Sequence, residues 1–132
     1  MPKEFLNPPA LNRTFGWTHV VATSGGKTIH VSGQAGIDER GQLVSKDLKA
    51  QTERTFENLK AALAAAGATF RDVVNSRVYV VGFKPEYLPI IREVRSRYFA
   101  ADQPPASTLV GVTALAGLDW LIEIEVTAVV ED

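Results

Sequence analysis

Residues 47–67, DLKAQTERTFENLKAALAAAG, decide the fold because they carry the clearest helical pattern in the chain. Apolar side chains, Phe56 and Leu63 among them, recur at three- and four-residue spacing, which predicts a helix that buries one face. Asp47 is a candidate N-cap, and Gly67 is a candidate C-terminal stop. We therefore expect one long helix that packs on the core.

Segments rich in β-branched and aromatic residues lie on both sides of that helix. Upstream, residues 17–22 and 28–32 predict two strands, and the glycine-bearing turn 24–27 between them predicts a hairpin. Downstream, residues 73–81 are dense in valine, as in a buried strand. The long helix is therefore expected to connect strands.

A second helix and two further strands complete the pattern. Apolar residues at helical spacing run from Tyr87 to Tyr98, and Pro89 predicts an irregular start or a start near that residue, because proline has no amide hydrogen to donate. Residues 108–112 and 121–130 predict the last strands. The order ββαβαββ predicts an α+β fold, a mixed sheet with both helices on one face.

The other face of that sheet would have no helix to cover it. Val78, Val80, Ile122, Ile124 and the residues that alternate with them indicate apolar character on both faces. Because a large apolar surface is rarely left in water, we expect an oligomer in which the uncovered faces pack together.

Length and terminal sequence limit the architecture. A chain of 132 residues predicts a single domain over 1–132, since one core usually organises ~100 to 150 residues. Residues 1–15, with their scattered prolines, predict an irregular lead-in. No run approaches the ~20 apolar residues of a membrane helix, and no signal pattern opens the chain. We expect a cytoplasmic protein without a membrane partner.

Composition excludes several kinds of site. The chain has 0 cysteines, which excludes a disulfide scaffold, a thiolate metal site and a cysteine nucleophile. With 2 histidines, His19 and His30, a histidine-rich metal site is excluded as well. A net charge of -1 supplies no strong positive field, which argues against nucleic acid as a partner.

Charged pairs on one face allow two interpretations each. Glu123 and Glu125 are two residues apart in a strand and share a face, so they either divide acid and base roles or form a solvated surface. Arg92 and Arg95 share a face of the second helix and either contact solvent or meet an anion. Gly26-Lys27-Thr28 is similar to the end of a phosphate-binding loop but opens a strand, which favours a hairpin turn.

Five segments in order carry a family resemblance. Together they resemble the Rid (YjgF) family of reactive-intermediate deaminases, and the likeness covers nearly the whole chain, from about Asn12 to Val130. The segments are Gly16–His19, Ile29–Gln34, Gln51–Gly67, Pro105–Val112 and Ile122–Glu125.

This resemblance implies a chorismate-mutase-like fold assembled as a homotrimer, with a central barrel and clefts between neighbouring subunits. It implies a hydrolase or deaminase that acts on C=N bonds of small imine or enamine metabolites. The products would be a 2-keto acid and ammonia, and the reaction would use no cofactor or metal.

The resemblance also assigns cleft residues. Glu123 matches the glutamate that orients the attacking water, and it is the implied catalytic residue. Trp17 matches an aromatic residue of the early loop that is tyrosine in deaminases. Gly33 and Gln34 match the ligand-facing end of a strand, and Arg92 matches an asparagine on the second helix.

One position departs from the family pattern. Ser107 stands where the family has the arginine that grips the substrate carboxylate, and a neutral hydroxyl does not replace a bidentate guanidinium. This departure argues against the standard 2-imino acid deaminase activity and implies a subfamily that lacks the arginine. We expect Ser107, Thr108 and Leu109 to contact the substrate and Arg92 to supply the missing positive charge.

Two other functions remain open at the level of sequence. The missing arginine allows a non-catalytic trimer that binds small ligands or acts as a chaperone. Some family members carry the label endoribonuclease, but a net charge of -1 and the lack of a basic, aromatic-rich surface stretch argue against RNA cleavage.

Overall fold

The computed structural model describes residues 3–131. Six strands, two α-helices and one 3-10 turn follow each other along the chain. They are β1 (Lys3–Leu6), β2 (Val20–Thr23), β3 (Lys27–Ala35), α1 (Leu48–Ala65), the 3-10 turn (Phe70–Asp72), β4 (Val73–Val81), α2 (Tyr87–Ser96), β5 (Ala106–Val112) and β6 (Ile122–Val130).

The main sheet has four strands in the order β3-β6-β4-β5. β6 is antiparallel to both of its neighbours, whereas β4 and β5 are parallel. α1 connects β3 to β4 across the central β6, and α2 connects the adjacent β4 and β5. The predicted α+β fold, a mixed sheet with two helices packed on it, is confirmed.

α1 has the caps and the buried face that its sequence predicts. The Asp47 carboxylate accepts a hydrogen bond of 2.9 Å from the backbone N–H of Ala50, and Gly67 follows the helix with a φ of 77°. Phe56, Leu59 and Leu63 are at most 1% exposed. Burial of these three side chains anchors the helix on the sheet, at about 1.5 to 3 kcal/mol each.

α2 begins at Tyr87, two residues before Pro89. Pro89 therefore lies in the first turn, where a backbone N–H would have no acceptor within the helix. Backbone hydrogen bonds from Tyr87 to Lys84 and from Leu88 to Pro85 form the preceding turn. The helix thus starts near Pro89, as expected, and accommodates the proline.

The predicted lead-in and hairpin need correction. Residues 3–6 form β1, which pairs with β2 in a separate two-stranded sheet. Met1 and Pro2 lie outside the described residues. Gly25 and Gly26, with φ of 67° and 74°, do make the turn between β2 and β3. However, the two strands diverge after it, because β2 pairs with β1 whereas β3 pairs along nearly its whole length with β6.

The expectation of two apolar sheet faces is also wrong. Val78, Val80, Ile122 and Ile124 all lie beneath the helices, each at most 3% exposed. The residues that alternate with them form what we call the open face. It carries polar and charged side chains, which are Arg77, Tyr79, Glu123, Glu125 and Thr127.

Strict alternation in β4 and β6 explains this difference. The two strands pair in a register that places apolar residues opposite each other on one side and polar residues opposite each other on the other. Polar side chains thus dominate the open face on β4 and β6, and an apolar side chain that stays exposed on this face is Val110 of β5, opposite Tyr79 and 42% exposed. No helix within residues 3–131 has the length and apolar content needed to cross a membrane.

Candidate functional site

The open face holds one carboxylate that is fully engaged. The Tyr79 hydroxyl donates a hydrogen bond of 2.5 Å to Glu125, and Nε of Arg77 lies 3.3 Å from the same carboxylate oxygen. The Tyr79 hydroxyl, followed by the Arg77 guanidinium, lowers the pKa of the Glu125 carboxyl. The same hydrogen bond raises the pKa of Tyr79. Glu125 is therefore ionised and bound within its own chain.

Glu123 is two residues away on the same face and is not engaged in this way. Its half-buried carboxylate has neither a hydrogen-bond donor nor a cation as partner among residues 3–131. It lies over Gly33, where an added Cβ would overlap Oε2 and come within 2.8 Å of the carboxylate carbon. Only glycine at this position leaves room for the Glu123 side chain.

The bulge beside Glu123 follows from the pairing of β3 with β6. Their register shifts between Val31 and Gln34, so Ser32 and Gly33 leave the regular ladder. The Gln34 side chain turns back and donates to the backbone carbonyl of Ser32 at 3.2 Å. Glu123 and Gly33 therefore form one group, which we call the Glu123 site, and the Gln34 side chain lies outside it.

A second group of predicted residues lies around the start of β5. Thr18 is 2% exposed, and its backbone N–H and hydroxyl donate to the carbonyls of Pro105 and Pro104 at 3.1 and 2.5 Å. These bonds hold the loop that carries Trp17 against the entrance of β5. The ring of Trp17 is half-buried and meets His19 edge to face, at 6.3 Å between centroids.

The three consecutive candidates on β5 divide between the two sheet faces. Ser107 accepts a hydrogen bond of 3.1 Å from Ser76, which is 1% exposed on the helix side. Leu109 packs against the core on that same side. Thr108 lies between them and points to the open face, opposite Arg77. Ser107 and Thr108 therefore do not face one ligand from the same side.

Arg92 and Arg95 line a cavity of about 370 Å³ between α2, the early loop and the segment before β5. Arg92 is exposed and Arg95 is half-buried. Burial, and then the like charge of Arg92, lowers the pKa of the Arg95 guanidinium. Phe15, Gly16 and Pro104 are among the other lining residues. We call this the cationic cavity.

Within one protomer, the Glu123 site and the cationic cavity lie in different places. The Glu123 site lies at the β3–β6 side of the sheet, whereas Trp17, Arg92 and Ser107 lie at the β5 edge. β4 separates β6 from β5, which is about 10 Å at normal strand spacing. Glu123 faces the open side and Ser107 the helix side, so each protomer holds two half-sites.

Sequence reasoning missed the residues that distinguish the two glutamates. Tyr79 and Arg77 engage Glu125 because β4 pairs with β6 in a register that sets them opposite the two carboxylates. Alternation within β4 would have placed both on one face, but only the pairing identifies their partner. Arg95 was recognised as a neighbour of Arg92, and its approach to Gly16 depends on a tertiary contact. Within residues 3–131, no group of three side chains is arranged to hold a metal ion.

Comparisons with known proteins agree with this architecture. The family model described as Endoribonuclease L-PSP matches residues 9–130. A RutC family protein of Saccharolobus solfataricus is 42% identical over 104 residues, covering 78% of this chain and 79% of that protein. A protein of Dermatophagoides farinae named 2-iminobutanoate/2-iminopropanoate deaminase is 30% identical over 131 residues, 98% of both chains.

A solved structure extends the likeness to three dimensions. The Rid family protein YyfB of Yersinia pestis, described as of unknown function, superposes with a TM-score of 0.89 at 38% identity. The match covers 98% of this chain and 100% of that one. Since the family model spans almost the whole chain and the fold agrees along its length, this protein belongs to the Rid family, also described as Endoribonuclease L-PSP.

Proposed function

We propose that this protein is a cytoplasmic homotrimeric hydrolase that converts a small imine or enamine to a carbonyl compound and ammonia. The reaction would take place in a cleft between neighbouring subunits. The observation that carries the proposal is the Glu123 carboxylate, which lies over Gly33 and has no partner among residues 3–131, while Tyr79 and Arg77 bind Glu125 beside it.

The chemistry needs one group that can accept a proton from water. Glu123 removes a proton from a water molecule as the water oxygen bonds to the imine carbon, and the carboxyl then returns that proton to nitrogen. Collapse of the resulting amino alcohol breaks the C–N bond, releasing ammonia and leaving the C=O group. Glu125 does not compete for this role because Tyr79 and Arg77 occupy its oxygens.

The separation of the two half-sites supports an active site shared between copies. Within one chain, β4 lies between the strand that carries Glu123 and the β5 edge where Trp17 and Arg92 lie. A neighbouring subunit that places its β5 edge against the open face would bring them together. The open face is polar, so this contact would rest on hydrogen bonds and charges as well as apolar packing.

The substrate is held differently from that of an arginine-bearing deaminase. The Ser107 hydroxyl already bonds Ser76, and Arg92 adds positive charge near the substrate carboxylate from the side of α2. Trp17 covers the ligand, the backbone at Gly33 and Gln34 borders it, and Thr108 contacts it from the open face of β5, whereas Leu109 packs in the core behind that strand. The name of the Dermatophagoides farinae relative supports a C=N substrate.

The test uses 2-imino acids that an amino acid oxidase generates in the assay mixture. Semicarbazide traps the imino acid that has not been hydrolysed. Wild type should accelerate hydrolysis. Glu123→Gln should lose about 100-fold or more, the usual contribution of a general base. Glu125→Gln is the matched control and should retain most activity. Light scattering should give a mass of three chains; a monomer that is fully active would contradict a shared site.

A non-catalytic binding protein is the second candidate. The observation that favours it is the Ser76–Ser107 hydrogen bond, which occupies the position of the usual arginine with a neutral pair. Inert wild type that still binds small carboxylates would establish this role and exclude the hydrolase. Turnover that saturates and depends on Glu123 would exclude the binding protein.

A further inference from the structure

The cationic cavity has an unusual combination of charge and apolar surface. Of its lining residues, only Arg92, Arg95 and Ser96 carry polar side chains, and no acidic residue is among them. The remaining walls are aromatic or apolar, namely Phe15, Gly16, Phe99, Ala100, Ala101 and Pro104. A ligand that matches this cavity has one negative end and an apolar body.

Arg95 differs from Arg97, the residue that caps the C-terminal end of α2. Arg97 donates to Glu53 at 2.7 Å and to Glu93 at 2.6 Å. Arg95 is half-buried, yet within residues 3–131 its guanidinium forms neither an ion pair nor a hydrogen bond. A partly desolvated cation without a partner is unfavourable, and an incoming anion relieves that cost.

The position of Arg95 is nevertheless well defined. Gly16, with a φ of 81°, lies so close that an added Cβ would stand 2.9 Å from Nη2 of Arg95. The loop that carries Trp17 thus packs against the guanidinium without accepting a hydrogen bond from it. This contact restricts the side chain and leaves its N–H donors available to a ligand.

We infer that the cationic cavity binds the carboxylate of an organic acid that carries a branched or aromatic apolar substituent, with Arg95 as the residue that pairs with the carboxylate. Arg92, at the exposed rim, adds positive charge, and Phe15 with Phe99 contacts the substituent. This inference rests on the proposed function, because it names the class of imino acid that the cleft would accept.

The size of the cavity supports a bulky substituent. A volume of about 370 Å³ lies within the range of pockets that enclose ligands much larger than a three-carbon acid. A small acid would satisfy Arg95 but leave the aromatic walls in contact with water. Apolar contact therefore adds to the affinity only when the acid has a branched or aromatic side chain.

The test is calorimetric titration of the full chain with phenylacetate, with its neutral isostere phenylacetamide, and with acetate. Phenylacetate should bind at least tenfold more tightly than either of the others. Arg95→Gln should weaken phenylacetate binding by about tenfold or more, as expected for loss of a charged hydrogen bond. Arg97→Gln, two residues away at the C-cap of α2, should bind within about twofold of wild type.

Several results would overturn the inference. They are equal binding of phenylacetate and phenylacetamide, equal loss in Arg95→Gln and Arg97→Gln, or a loss confined to Arg92→Gln. Glu123→Gln separates this inference from the proposed function, since it should bind phenylacetate normally while losing hydrolysis. If wild type binds phenylacetate but does not hydrolyse imines, the assignment of the cavity stands and the proposed hydrolase is refuted. If wild type hydrolyses imines and Arg95→Gln hydrolyses them equally well, the hydrolase stands and the assignment of the cavity is refuted.

Discussion

The open face of the sheet and the C-terminal end of α2 each hold two like charges in the same arrangement, Glu123 with Glu125 and Arg95 with Arg97. On the sheet, Glu125 is bound by Tyr79 and Arg77, whereas Glu123 has no such partner within residues 3–131. On the helix, Arg97 pairs with two glutamates and Arg95 with none in the same described part of the chain. In each region one charge stabilises the fold, and its neighbour keeps its bonding capacity for another molecule.

The largest expected effect comes from Gly33→Ala, which would break the difference between the two glutamates. The new Cβ would occupy the space of the Glu123 carboxylate and displace it by about 1 Å or more. We expect imine hydrolysis to fall about 100-fold, as misplacement of this size does elsewhere. The measurement is kcat/KM in the semicarbazide assay, and wild-type activity in this variant would contradict the placement of Glu123.

The same substitution at Gly36 should act on stability instead. A Cβ there would stand 2.7 Å from Cα of Gln51 in α1, so the helix backbone itself must move. We expect Gly36→Ala to lower the free energy of unfolding by about 1 to 3 kcal/mol. Gly33→Ala should be nearly neutral by this measure, because the end of a flexible side chain can move aside. Urea denaturation of both variants compares them directly.

The contribution of Glu125 to stability should depend on pH. The folded-state pKa of Glu125 is lowered, so its contribution is present above the ordinary glutamate pKa and is lost as pH falls through the folded value. Glu125→Gln should reduce stability at pH 7 by at most about 1 kcal/mol, since the pair is partly exposed. The reduction should vanish in acid, whereas Glu123→Gln removes no ion pair within residues 3–131 and should leave the stability at pH 7 nearly unchanged.

The smallest expected effects are the changes in stability that distinguish Arg95 from Arg97. Arg97→Gln removes two ion pairs and should lower the urea midpoint slightly, by an amount that shrinks in high salt. Arg95→Gln removes a half-buried cation that has no partner in the described part of the chain, and it should leave the midpoint unchanged or raise it slightly. Urea titrations at low and high salt measure both. A larger loss in Arg95→Gln would show that this arginine stabilises the fold.

Much of the fold could be predicted where the signal is local. The apolar period of α1, its Asp47 cap and its glycine stop all concern neighbouring residues. The hairpin between β2 and β3 was wrong because turn chemistry says nothing about distant partners. β2 pairs with β1, many residues upstream, and β3 pairs with β6 near the other end of the chain.

The candidate site could be predicted only in part, for the same reason. Alternation correctly placed Glu123 and Glu125 on one face. Their different surroundings depend on the register of β4 against β6 and on the bulge at Gly33, which no local pattern specifies. The grouping of Ser107 with Thr108 overlooked the alternation of a strand, which turns them to opposite faces.

The central position of β6 has a consequence for synthesis on the ribosome. β3 is complete at Ala35, yet its sheet partner begins at Ile122. At a translation rate of about 5 to 20 residues per second, the edge of β3 that pairs with β6 stays unpaired for on the order of ten seconds. Residues 48–65 pack on a face of the sheet and leave this edge open, so chaperone occupancy on nascent chains should be highest until β6 emerges.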